Sequence, residues 1–264
     1  MSTHRPRKRF GQHFLRDPAV IDRIVSAIGP RRGDCLVEIG PGEGVLSRPL
    51  LESVSRLDVI ELDRDLAAAL PRRLGEPPGL TVHQADALRF DFDSLAPSPG
   101  ALRVVGNLPY NVSTPLLFHL FDQAEWIKDM VFMLQKEVVS RLVAEPGSRQ
   151  YGRLSVMARF HCRMEWLFDV PPQAFDPPPR VDSSIIRMVP ERLDDAARIL
   201  RPALAEVVRA AFNQKRKTLR NSLKGKLDQE AIEGAGVSPS ARPETLSLSR
   251  FLSLAQAYHS ISFQ

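Results

Sequence analysis

Apolar residues fall in short runs that alternate with amphipathic segments. Leu36-Val37-Glu38-Ile39, Leu57-Asp58-Val59-Ile60, Leu80-Thr81-Val82-His83-Gln84 and Leu102 to Gly106 are brief, largely apolar and bounded by turn residues. Runs of this kind read as buried strands. Between them come helical patterns: Val45, Leu46, Pro49, Leu50 and Leu51, then Arg64 to Leu74. Strands alternating with helices predict a parallel sheet covered by helices. Upstream, Asp17 followed by Pro18 predicts a helix start, and Gly29-Pro30 stops that helix after about Ala27. Downstream, Thr114-Pro115 opens a helix to about Phe121, and Asp129 to Leu134 reads as a fifth strand. Glu137 to Val143 reads as a helix, and Ser155 to Cys162 and Ser183 to Val189 as further strands. From about Glu191 no strand pattern recurs. Arg198 to Phe212 reads as a helix with Ile199, Leu200, Ala203, Leu204, Val207 and Val208 on one side. Glu244 to Ser260 reads as a last helix. The pattern thus divides the chain into an α/β domain, residues 1–190, and a smaller α-helical domain, residues 191–264.

Polar groups recur where the strands end. The first strand runs into Gly40-Pro41-Gly42-Glu43-Gly44 and then a helix, the layout of a nucleotide-binding βαβ unit, with G-x-G-x-G spacing rather than the dinucleotide G-x-G-x-x-G. Glu61, 21 residues beyond Gly40, ends the second strand, where a carboxylate can accept both hydroxyls of a ribose. Asp86 follows the third strand, where it can accept from an adenine amine. Acidic residues in such places are commonly helix caps. Asn107-Leu108-Pro109-Tyr110 ends the fourth strand. Pro109 fixes φ and removes a donor, which predicts a Leu108 carbonyl free of any ladder. An amide oxygen, free carbonyls and an aromatic face suit a planar ring bearing an exocyclic amine. Taken alone, the tetrapeptide also reads as a turn with a packed tyrosine. Four polar strand ends in order, on the ligand side of an open α/β sheet, favour a binding site.

Charge adds a second candidate surface. Across 264 residues, 36 Lys and Arg against 31 Asp and Glu leave a net charge of +5, which permits a polyanionic partner. Six of the cations fall within residues 215–226, among them Lys215, Arg216, Lys217, Arg220 and Lys224. No acid lies between Glu206 and Asp228 to pair them, so a phosphate-contacting surface is weighed against a merely solvated helix face. Residues 1–9 form a basic arm. Cys35 and Cys162 stand far apart without ligand spacing, which speaks against a disulfide framework or zinc site and fits a reducing cytoplasm. No apolar run approaches a membrane span, and no secretory leader pattern is present. Val170-Pro171-Pro172-Gln173-Ala174-Phe175-Asp176-Pro177-Pro178-Pro179 reads as a stiff loop that holds Phe175 out; the alternative is a hydrophobic plug.

Glu38 to Gly44, Glu61, Asp86 and Asn107-Leu108-Pro109-Tyr110 resemble the ordered motifs of class I S-adenosylmethionine-dependent adenine-N6 methyltransferases. Three flanking segments narrow the resemblance: Phe10-Gly11-Gln12-His13-Phe14-Leu15, Phe175 to Ser183, and Phe212 to Asn221. With them the chain closely resembles, over almost its whole length, the bacterial small-subunit (16S) rRNA adenine-N6 dimethyltransferases, the KsgA family. The resemblance implies a Rossmann-like methyltransferase sheet with a helical RNA-binding domain. It implies dimethylation of two adjacent adenosines in the 3′-terminal hairpin of small-subunit rRNA, late in ribosome assembly. Cofactor contacts carried over by motif fall on His13, Leu15, Gly40, Glu61, Asp86 and Asn107; in many members Asn stands where His13 stands here. Asn107, Leu108, Pro109 and Tyr110, with Phe175, are the expected catalytic set, with Tyr110 stacking on the base and its hydroxyl idle. A metal-free, cytoplasmic monomer acting on the small subunit is expected. The alternatives are an Erm-type 23S rRNA methyltransferase and a non-catalytic RNA-binding factor on the same fold.

Overall fold

The computed structural model describes residues 13–214 and 217–262. The basic arm, Phe10-Gly11-Gln12, Lys215 and Arg216 lie outside the described residues. The chain forms two compact units. One comprises the residues up to Val139 together with Met164–Pro190, and the other comprises Ser140–Arg163 together with Glu191–Gln264. The expected boundary at residue 190 therefore misses an excursion: residues 140–163 group with the C-terminal helices.

The first unit opens with a short strand, β1 (Phe14–Leu15), and helix α1 (Pro18–Ile28). Asp17 caps α1 through Oδ1, which accepts the Ala19 N–H at 2.9 Å and the Val20 N–H at 3.2 Å. Then β2 (Cys35–Ile39), α2 (Ser47–Ser53), β3 (Leu57–Glu61), α3 (Arg64–Leu74), β4 (Leu80–Gln84), β5 (Leu102–Asn107), α4 (Ser113–Asp122) and β6 (Ile127–Gln135) alternate as the apolar runs predict. After α5 (Lys136–Leu142) and α6 (Arg153–His161) come β7 (Cys162–Val170), β8 (Phe175–Asp176) and β9 (Ser183–Pro190). Seven strands form one sheet in the order β4-β3-β2-β5-β6-β9-β7, and β1 pairs with β8 in a separate ribbon. Strands β4 to β6 are mutually parallel, while β9 runs antiparallel to β6. Leu57, Val59, Val104, Met130, Phe132 and Leu134 are fully buried in this sheet, each contributing roughly 1.5–3 kcal/mol.

The sheet order reverses between β2 and β5. In open α/β sheets such a reversal leaves a crevice at the carboxyl ends of the two strands. Gly106 brings them close: a Cβ there would lie 2.4 Å from the Ile39 carbonyl oxygen. The crevice is thus shaped by a missing side chain as much as by those present.

Ser155 to Cys162 is not a strand. All of it but Cys162 lies in α6, where Ser155 Oγ accepts the Gly152 N–H at 3.0 Å and donates to the Arg141 carbonyl at 2.6 Å. Leu154, Val156, Met157, Ala158 and Phe160 are all buried. Only Arg153 and Arg159 reach solvent, too few for a polar stripe, so the helical period cannot be read. The strand begins where this helix ends, at Cys162.

The second unit is helical after Glu191. Helix α7 (Asp195–Phe212) packs on α10 (Leu248–Ser262), with α8 (Leu219–Ser222) and α9 (Gln229–Gly234) between them in sequence. Leu204, Val207, Val208, Phe251 and Leu254 are fully buried, and the Phe212 and Phe251 ring centroids lie 5.7 Å apart. No helix among the described residues is long and apolar enough to cross a membrane.

Candidate active site

A cavity opens at the carboxyl ends of β2, β3 and β5. It is lined by His13, Phe14 and Leu15, by Glu38 and Gly40 to Glu43, by Glu61 to Asp63, and by Asn107 to Val112. Gly40 and Gly42 take φ values of +68° and +57°, a left-handed backbone that glycine adopts without strain. This turn carries the Gly42 N–H to Glu61 Oε2 at 3.1 Å, and the Asp63 N–H donates to Oε1 at 2.9 Å. The Glu61 carboxylate is therefore fixed from two directions, and its remaining lone pairs can still accept hydroxyls. Burial raises its pKa against these two donors.

Two further cavity residues were not anticipated as contacts. Glu38 sits inside the apolar run of β2 and is almost fully buried. Burial pushes its carboxyl up to about 7; the Ser47 hydroxyl, donating at 2.5 Å, opposes that shift, and the negative charge of Glu61 adds to it. A carboxylate within an apolar strand was the available signal, since such a residue needs a reason to be there. Leu62, directly after Glu61, lines the cavity while remaining 51% exposed, an apolar surface open to a ring.

The loop after β5 lines the cavity from Asn107 to Val112. Asn107 Nδ2 donates to the His13 carbonyl at 3.4 Å, which orients the amide and leaves Oδ1 without a donor among the described residues. The Leu108 N–H donates to the Met133 carbonyl at 3.1 Å, while the Leu108 carbonyl accepts no hydrogen bond from the described residues. Beyond it the chain closes on itself: the Pro109 carbonyl accepts the Val112 N–H at 3.2 Å, and the Tyr110 carbonyl accepts from Ser113 Oγ at 3.2 Å. The Tyr110 ring lies against His13, with centroids 5.7 Å apart and planes at 26°. Its hydroxyl is not idle: it shares a 2.7 Å hydrogen bond with Ser183 Oγ, and burial raises its pKa. His13 is fixed in turn, since Nδ1 bonds the Pro177 carbonyl at 2.7 Å and must be the donor there.

The structure brings His13, Leu15, Gly40, Glu61, Asn107, Leu108, Pro109 and Tyr110 to one cavity. Asp86 is not among its lining residues. Its Oδ1 accepts the Leu88 N–H at 3.0 Å, and the preceding Ala85 N–H donates to the Glu61 carbonyl at 3.1 Å. Of the two readings of Phe175, the hydrophobic plug is the one found, and the catalytic set loses this ring. It is only 4% exposed, pairs with Leu15 and packs in the core with Val20, Ile24 and Val170, so the loop buries this ring instead of holding it out. An aromatic ring gains more from the core than the stiff flanking prolines gain by presenting it.

In the second unit, Lys217, Arg220 and Lys224 are exposed and form no ion pair among the described residues, while Leu219 and Leu223 between them are fully buried. Arg220 and Lys224 face a shallow cleft together with Asn221 and Gly225. Lys226 differs from these. It lies 5.0 Å from the Tyr258 ring centroid and pairs at 2.9 Å with Glu206, a partner twenty residues away that sequence spacing could not reveal. Among the described residues, no three His, Cys, Asp or Glu side chains gather as a metal cluster.

The chain can now be compared with known proteins. It is 57% identical over 253 residues to a protein of Methylococcus capsulatus named ribosomal RNA small subunit methyltransferase A, covering 96% of this chain and 98% of that one. A dimethyladenosine transferase from Plasmodium falciparum superposes with a TM-score of 0.78 at 25% identity, covering 92% of this chain and 96% of its own. The 23S rRNA methyltransferase ErmE superposes with a TM-score of 0.70 at 26% identity, over 92% of this chain and 98% of its own. These neighbours share the class I methyltransferase sheet. The family model described as ribosomal RNA adenine dimethylase matches residues 3–260, and the chain belongs to that family.

Proposed function

We propose that this chain transfers methyl groups from S-adenosylmethionine to N6 of two adjacent adenosines in the 3′-terminal hairpin of small-subunit rRNA, late in subunit assembly. The observation that carries the reading is the loop after β5. An oriented Asn107 amide and a Leu108 carbonyl that no described residue donates to stand beside a cavity whose other wall bears carboxylates.

The cavity's donor set fits the cofactor. Glu61, held by Gly42 and Asp63, has lone pairs left for a ribose diol, and Leu62 offers an apolar surface to the adenine. Glu38 would be ionised by a cationic ligand nearby, since an opposite charge favours the charged carboxylate. Held by these residues, S-adenosylmethionine would supply an electrophilic methyl, which the adenine N6 would take in exchange for one of its own protons, lost to water.

The protein's own contribution is positioning and polarity. The adenine amine is a weak nucleophile because its lone pair is spread into the ring. Asn107 Oδ1 and the Leu108 carbonyl, accepting the two N6–H bonds, favour a pyramidal nitrogen with a localised pair. The same dipoles stabilise the positive charge that develops on N6, and a fixed loop contributes orientation before the reaction begins. Tyr110 offers a stacking surface to an adenine drawn out of its helix. Lys217, Arg220 and Lys224, with Lys215 and Arg216, would contact RNA phosphates.

The test is acceptor choice. With labelled S-adenosylmethionine, the chain should label small subunits that lack the modification and leave large-subunit RNA unlabelled. Label in the large-subunit RNA instead would favour the Erm-type activity, and label in neither would favour a non-catalytic binding factor.

A further inference from the structure

We propose that Ser183 is a positioning residue that acts through Tyr110 and favours the second methyl transfer over release of a monomethylated base. The inference rests on the reading of the cavity given above. Ser183 is fully buried at the start of β9, in antiparallel register with Gln135 of β6. Its Oγ shares the 2.7 Å hydrogen bond with the Tyr110 hydroxyl. The far end of the Tyr110 ring is thereby fastened to the central sheet, while His13, itself held by Pro177, lies against the ring. A tyrosine on a turn would otherwise retain side-chain rotation that binding must arrest.

The two methyl transfers place unequal demands on this ring. An unmethylated amine has two N–H bonds for two acceptors, Asn107 Oδ1 and the Leu108 carbonyl. After the first transfer only one N–H remains, so one acceptor is unmatched and the base is held by a single hydrogen bond and the stacking surface. Orientation in the second transfer therefore depends more on the tyrosine being held still. Losing the tether leaves the ring present but loose, and slows the second step more than the first. The loss of one neutral hydrogen bond corresponds to roughly two- to tenfold, and that factor should fall mainly on the second transfer.

The experiment compares the full-length wild type with Ser183→Ala, Tyr110→Phe and the double variant on unmethylated small subunits. Nucleosides are released over the time course, and N6-methyladenosine and N6,N6-dimethyladenosine are quantified by mass spectrometry. Affinity for S-adenosylmethionine is measured in parallel by calorimetry. Each single variant should raise the mono-to-dimethyl ratio roughly two- to tenfold while cofactor affinity stays at the wild-type value. The double variant should match the singles, because both remove one bond. Tyr110→Phe carries the test if Ser183→Ala does not fold, since it leaves the sheet untouched. Wild-type product ratios in the variants, or additive effects in the double variant, overturn the tether alone. A wild type that methylates no adenosine overturns the reading of the cavity and the tether with it.

Discussion

Around the cavity of the first unit, the polar groups are tied to the backbone: Glu61 to Gly42 and Asp63, Asn107 to His13, and His13 to Pro177. In the second unit, Lys217, Arg220 and Lys224 stand exposed and make no ion pair among the described residues. The first arrangement recognises by geometry set before the ligand arrives. The second recognises by charge, tolerates movement and weakens with salt. Point changes in the two regions should therefore fail differently. In the cavity they should be large, specific and insensitive to salt; in the cluster they should be small, graded and dependent on it.

The largest effect should come from Asn107→Ala. Removing one preorganised dipole aimed at developing charge typically costs about 10²–10³ in rate. The single-turnover rate should fall by that order, with cofactor affinity reduced as well because Asn107 lines the same cavity. A rate within a few-fold of wild type would make the loop only a turn.

Next comes Glu61→Ala. A hydrogen bond to a charged group is worth about 1.5–3 kcal/mol, so S-adenosylmethionine affinity should fall roughly tenfold to over a hundredfold. Calorimetric titration at two salt concentrations should give the same loss in both; an unchanged dissociation constant would remove Glu61 from the site.

A third prediction follows from Glu38. Its carboxyl, at about 7 when folded against an ordinary 4.5, holds its proton more tightly in the folded chain. The stability this contributes is full below pH 4.5 and is lost as pH rises through 7. The loss is about 3 kcal/mol for the ligand-free protein. Glu38→Gln should flatten that pH dependence of Tm between pH 5 and 8, since its amide stays neutral throughout. Wild-type affinity for the cationic cofactor should rise over the same interval as the carboxyl ionises. A wild-type melting profile parallel to that of Glu38→Gln would show that this group does not titrate as described.

Smallest should be Lys224→Ala. RNA affinity should drop only a few-fold at moderate salt, and the log-log salt slope should flatten by about 0.7–0.9 for one lost phosphate contact. Cofactor affinity should not move. An unchanged slope would make Lys224 a solvated side chain and shift the RNA surface elsewhere.

Local chemistry decided how much of this was legible in the sequence. The strand-turn-helix order, the Asp17 cap and the Gly40 turn were readable because each depends on neighbours in sequence. So was the Leu108 carbonyl, which no described residue donates to, because the Val112 N–H of the same turn goes to the Pro109 carbonyl. What escaped depends on distant contacts. In helix α6 only Arg153 and Arg159 reach solvent, and no period is legible. The choice between a held-out Phe175 and a plug stayed open because Leu15, 160 residues earlier, decides it, and the Tyr110 hydroxyl meets Ser183 from another strand. Glu38 becomes a cavity group only because β2 and β5 meet at the point where the sheet order reverses.

Mapping the product shows whether the loop after β5 serves adenosine dimethylation. Purified chain, S-adenosylmethionine and small subunits lacking the modification are incubated together, and the modified nucleotides are located in the recovered RNA. N6,N6-dimethyladenosine is expected at two adjacent positions of the 3′-terminal hairpin, and almost none with Asn107→Ala. Modification at another site, on another atom of the base, or at wild-type level in Asn107→Ala would contradict that role of the loop.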